Sequence, residues 1–130
     1  MRSVIGRAPM LVALALALAG LACLPACQQR SNSPVVTINI LGDKGANSFR
    51  PSNIVVNMGT VVTWVNEDSQ PHTVTAPGAF DSGMIAPNGG KWSWVAAVAG
   101  TFTYSSIVNP SMSGTITVVV PPPQPPPATQ

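Results

Sequence analysis

Short alternations of apolar and polar residues, broken at close intervals by glycine or proline, set the pattern of this chain. Val36, Ile38 and Ile40 alternate with Thr37 and Asn39, the period of a half-buried strand. A second strand is expected at residues 54–56, after Phe49-Arg50-Pro51, and Asn57-Met58-Gly59 reads as the turn that follows it. The next strand, residues 61–66, places Val62 and Trp64 on one face. Residues 71–75 are a further candidate, and residues 76–88, interrupted by glycine and proline, read as a long loop. Asn88-Gly89-Gly90 turns the chain into residues 91–95; strands at 100–104 and 115–118 complete the set. Several short strands with turn signals between them, and no helical period, predict an all-β Greek-key β-sandwich over residues 35–120, a single domain. A domain of about 85 residues buries a modest core, and the three tryptophans and three phenylalanines are assigned to it because aromatic side chains bury the most area each.

The chain before this pattern is of another kind. Arg2 and Arg7 precede a run from residue 10 to 22 that is apolar apart from Gly20, too short for a membrane span and flanked like a secretory signal. Both cysteines close it. Leu24-Pro25-Ala26-Cys27 resembles a bacterial lipobox, so residues 1–27 are expected to be a signal peptide with Cys27 as the acylated residue. The alternative is an ordinary signal peptide cut nearby, with Cys23 and Cys27 incidental. Residues 28–34, polar and without periodicity, read as a flexible tether. The expected location is the periplasm or cell surface, on a membrane but not across it.

Charge narrows the partners. From residue 28 onward the basic residues are Arg30, Lys44, Arg50 and Lys91, and the acidic ones are Asp43, Glu67, Asp68 and Asp81, so the exported part is near neutral. The basic balance belongs to the leader, and there is no basic stripe for nucleic acid to follow. No cysteine occurs after residue 27, which excludes an internal disulfide and any thiolate ligand in the domain. Residues 121–127 contain six prolines in seven positions and form an extended polyproline helix, roughly 20 Å long. It reads either as a spacer or docking segment for an aromatic groove or, the reading favoured from sequence, as a tail without a selected role.

Several pieces of the domain occur in a telling order. Phe49-x-Pro51 precedes Gly59-x-Val61-Val62-x-Trp64-x-Asn66-x-Asp68, then come His72-Thr73-Val74, Phe80-Asp81-Ser82-Gly83, Trp92-Ser93-Trp94 and Gly100-Thr101-Phe102-Thr103-Tyr104. Together they resemble the cupredoxins, the small blue-copper family that includes plastocyanin and amicyanin. The resemblance implies a copper site in which His72 is the first ligand and a loop of pattern Cys-x-x-His-x-x-Met supplies the other three. Here that loop reads Ser106-x-x-Asn109-x-x-Met112.

A blue site needs two imidazoles, a thiolate and a weak thioether. The only histidine of the chain is His72, and strand parity carries the inward face of Phe102 and Tyr104 on to Ser106, where the thiolate would stand. A serine hydroxyl stays protonated at neutral pH and is a hard donor, and the Asn109 amide oxygen is a weak ligand for copper. His72 and Met112 remain as metal candidates, Ser106 and Asn109 as degenerate ligand positions. No cofactor is expected, with Cu(I) on the His/Met pair the least implausible ion. His72, Ser106 and Asn109 are instead expected to form a neutral hydrogen-bonded network, with Met112 as core filler.

The function expected from these residues is a non-enzymatic, exported, lipid-anchored cupredoxin-like binding or structural module, with the membrane surface and an envelope protein as partners. The rival is a copper-binding or electron-transfer protein using His72 and Met112 with weak or partner-supplied ligands. A hydrolase built from Ser106 and His72, oriented by Asp68 or Asp81, has no nucleophile-elbow pattern to support it.

Overall fold

The structure, a computed structural model, describes residues 32–126. The leader, Cys27 and most of the tether therefore lie outside the described residues. Nine strands follow one another: β1 (Val35–Ile40), β2 (Phe49–Arg50), β3 (Asn53–Asn57), β4 (Val61–Asn66), β5 (Thr75–Ala76), β6 (Phe80–Asp81), β7 (Gly90–Val95), β8 (Gly100–Ser105) and β9 (Ser113–Val119). They form a four-stranded sheet of order β2-β1-β4-β7 and a five-stranded sheet of order β3-β9-β8-β5-β6. The sheets are mixed: β1 runs parallel to β4 and β3 parallel to β9, each pair joined by chain that passes through the other sheet. The fold is the all-β sandwich that the alternation predicts. Among the described residues no helix is long and apolar enough to cross a membrane.

Alternation becomes core because successive strand side chains point to opposite faces. Ile38, Ile40, Val62 and Trp64 point inward from one sheet, and Val56, Tyr104, Ile116 and Val118 from the other. Trp64 bridges the layers, its ring centroid 5.4 Å from Tyr104 in an edge arrangement and 5.6 Å from Phe80. Phe49 closes on the far side of Tyr104 at 4.8 Å. Gly114 lies opposite the Tyr104 ring, and any Cβ there would collide with the phenol.

Two segments differ from expectation. Residues 71–75 do not form a continuous strand: His72 makes an isolated bridge to Ile85, and pairing resumes only at β5. The long loop, residues 76–88, is not without structure. A tight turn, with the Ala79 N–H donating to the Ala76 carbonyl at 3.0 Å, folds β6 back on β5 so that Phe80 can be buried under Trp64 and Trp94. A two-residue strand has no alternation to reveal it; only the burial of Phe80 does.

Register fixes two poles. Val35, Val61 and Val95 are aligned at one end of the first sheet, and Gly100 faces Val118 at the same end of the second. The tether enters there, and the proline-rich segment leaves there. Ile40, Asn66 and Gly90 on one sheet and Ser105 and Ser113 on the other mark the opposite pole.

Candidate metal centre

The second pole gathers all four positions singled out from sequence. His72 arrives in the connection after β4, Ser106 immediately follows β8, and Asn109 and Met112 lie in the loop before β9. The four are tied through the backbone. The Thr73 N–H, next to His72, donates to Ser106 Oγ at 3.3 Å. The Ser106 N–H donates to the Met112 carbonyl at 3.3 Å, and the Met112 N–H to the Asn109 carbonyl at 3.0 Å. Thr73 Oγ1 accepts the Ile107 N–H at 2.8 Å, fastening the loop to the histidine segment a second time. His72, Ser106 and Met112 are buried, and Asn109 is half-buried.

The expected network of His72, Ser106 and Asn109 is not what holds the imidazole. His72 Nε2 lies 2.7 Å from Asp68 Oδ2. With the carboxylate ionised, Nε2 carries the proton and donates; in the neutral ring Nδ1 is then a bare lone pair. Nδ1 is buried and has no hydrogen-bond partner. The His72 N–H holds the Asp68 carboxyl below its ordinary range, assisted by the backbone N–H of Ser69. Asp68 reaches the imidazole because it lies four residues before His72 on a short connection.

Asp68 and its surroundings are the part that sequence reasoning underweighted. Asn66, fully buried, donates through Nδ2 to the carbonyls of Gln70 at 2.8 Å and Ile85 at 3.2 Å, and its Oδ1 accepts the Asp68 N–H at 3.1 Å. It thus shapes the connection that carries both Asp68 and His72. Gly42 completes the setting from β1's end. Its φ of +89° suits glycine, and a Cβ there would sit 2.9 Å from Asp68 Oδ2. The signal for Asn66 was a polar residue in an inward register position of β4, the kind of buried polar group that must be bonded.

The donor set decides what this pole can hold. Nδ1 of His72 is presented as a ligand would be, with Nε2 held by a carboxylate as ligand histidines commonly are. Met112 offers a soft thioether. The remaining two positions offer a neutral hydroxyl and a neutral amide, so no anionic donor faces an ion. Among the described residues no three His, Cys, Asp or Glu side chains come together to hold a metal. These residues do not fit a blue copper ion, whose thiolate neutralises charge and supplies most of the covalency. Asp68 orients His72, while Ser106 is fully buried and its Oγ accepts the Thr73 N–H.

Solved structures of the same architecture carry copper proteins. The chain aligns with a purple cupredoxin from Nitrosopumilus maritimus at TM-score 0.59 and 26% identity, covering 65% of this chain and 99% of that one. The chain has the cupredoxin fold. A reduced variant of amicyanin matches at TM-score 0.56 and 23% identity over 65% of this chain and 82% of the other. A Cu-containing nitrite reductase from Thermus scotoductus matches at TM-score 0.56 and 24% identity, with 68% of this chain on only 23% of the enzyme. In sequence, plastocyanin of Scenedesmus fuscus is 41% identical over 39 residues, 30% of this chain and 40% of the plastocyanin, so the match spans under half the length of that relative. No family model matches the chain. The pole just described gathers the four positions that the sequence resemblance expects at a copper site.

Proposed function

We propose that this chain is an exported, lipid-anchored cupredoxin-like domain that forms no blue copper site and serves as a non-enzymatic binding or structural module at an envelope surface. The observation that supports it is the donor set: Ser106 and Asn109 stand where a thiolate and a second imidazole are required, and neither side chain is anionic. Acylation at Cys27 agrees with the topology. The tether joins the sandwich at the pole opposite His72, so an anchor there would hold the His72 pole away from the membrane. The partner is then an envelope protein that meets the outward pole. Detergent partitioning of the full chain, abolished by Cys27→Ala, is the expected result for the anchor.

One observation favours a second reading. His72 Nδ1 is buried without a hydrogen-bond partner, and Met112 is buried at the same pole; an imidazole and a thioether would suit Cu(I) if a partner supplied a third ligand. Loading residues 31–130 separately with Cu(I) and Cu(II), removing excess metal and measuring copper per protein with the visible spectrum distinguishes the two. The first reading expects no stoichiometric copper and no blue band. One retained copper, lost on His72→Ala and on Met112→Ala, would replace it with a copper-carrying role.

A further inference from the structure

The pole opposite His72 carries a feature that the metal reading leaves unused. Between β7, the loop that follows it and the β5–β6 turn lies an open groove of about 270 Å³. Its walls are Trp94, Phe102, Val95, Ala97 and Val98, and no charged residue lines it. Trp94 and Phe102 stand edge to face, centroids 5.3 Å apart with planes at 71°, giving a floor and a wall of aromatic surface. Val95 and Val98 are 53% and 65% exposed at its rim.

This groove has the chemistry that polyproline helices use: flat aromatic surface, apolar walls and no charge to desolvate. The same chain carries such a helix. Residues 121–126 are all exposed and so are not seated on their own sandwich. They also start at the groove's pole. Val118 faces Gly100, which directly follows the groove loop, and the Val119 carbonyl accepts the Met58 N–H at 2.8 Å. A segment of six prolines loses little conformational entropy on docking, because its extended form is already set. It is also uncharged, matching the groove.

We propose that the aromatic groove of one copy binds the proline-rich segment, residues 121–127, of a second copy, so that the domain self-associates through its tether pole. The groove gives the segment the docking role that composition alone did not favour. His72 and its surroundings take no part.

Residues 31–130, the compact unit that contains the whole core, are the material for the test. Sedimentation velocity from about 10 µM to about 1 mM is expected to show concentration-dependent association. Truncation after Val120 abolishes it, and Val98→Lys, at an exposed rim position that leaves the core intact, weakens it at least about tenfold. The peptide Pro-Pro-Pro-Gln-Pro-Pro-Pro, added to the truncated protein, should change tryptophan emission saturably, and Val98→Lys and Trp94→Ala should suppress that change. A monomer across the whole range with no response to peptide overturns the proposal. So does a tail-dependent emission change that is independent of protein concentration, which would mean that the segment folds onto its own groove.

Discussion

Asp68 and Tyr104 each couple folding of this sandwich to pH. Asp68 is held ionised by the His72 N–H, so its folded carboxyl titrates below its unfolded value of about 3.8. A depressed carboxylate contributes stability that is fully present above the unfolded value and disappears as pH falls through the folded one. Thermal melts should therefore weaken below about pH 4; in Asp68→Asn the melting temperature should be lower at neutral pH and its acid decline shallower. An unchanged acid limb would remove Asp68 from that role. Tyr104, the only tyrosine of the chain, behaves oppositely. Burial pushes its phenol up to about 12, an effect only tempered by the nearby Trp64 indole. Its stabilising effect is present below about pH 10 and is lost as pH rises through about 12, amounting to about 3 kcal/mol. Tyrosinate absorbance in the folded protein should thus appear only above about pH 11, and near pH 10 in denaturant. Because Tyr104 Oη is buried without a partner of good geometry, Tyr104→Phe should cost less than about 1 kcal/mol and abolish the alkaline transition.

At the scale of elements, what the sequence reveals depends on length. Strands of six or seven residues, such as β1, β4, β7, β8 and β9, show enough alternation to be read directly. The two-residue strands β5 and β6 do not, and they exist because the turn at Ala79 lets Phe80 reach the aromatic core. The site was legible in the same uneven way. Ser106 was placed inward by continuing β8's alternation, and its position is buried. Asp68 entered the sequence reading only as one of two carboxylates that could orient His72 in a hydrolase; the connection of residues 67–71 has no period to single it out, and its shape depends on Asn66 reaching both Gln70 and Ile85. That reach makes a prediction. Asn66→Ala removes three hydrogen bonds and leaves the buried Ile85 carbonyl with one fewer donor, so chemical denaturation should report a loss of about 2–4 kcal/mol. Asn66→Asp, which cannot donate, should do no better. A loss below about 0.5 kcal/mol would show that the connection is held by its backbone alone.

At the scale of the whole molecule, the sandwich builds the His72 pole from parts that do not depend on a metal. The histidine segment, the end of β8 and the loop before β9 are joined by the Thr73, Ser106, Ile107 and Met112 backbone bonds, all made with Ser106 and Asn109 as they stand. The aromatic core packs beneath them, and the tether and proline segment leave from the far end. If the architecture sets the pole and the side chains set the chemistry, then restoring the side chains should restore the chemistry. Ser106→Cys puts a thiolate at a buried position whose neighbouring Thr73 N–H can donate to sulfur as it does to oxygen, and such a donor favours the anion. Asn109→His supplies the second imidazole from a half-buried site at the edge of the pole. With His72 Nδ1 already free and Met112 in place, the double variant has the full set of two imidazoles, thiolate and thioether. It should take up one copper and develop an intense visible band that neither parent residue set supports. The Ser106→Cys variant alone should bind more weakly, with an altered spectrum. A double variant that stays folded but colourless would mean that the pole itself, and not only two of its side chains, has departed from a copper-binding shape.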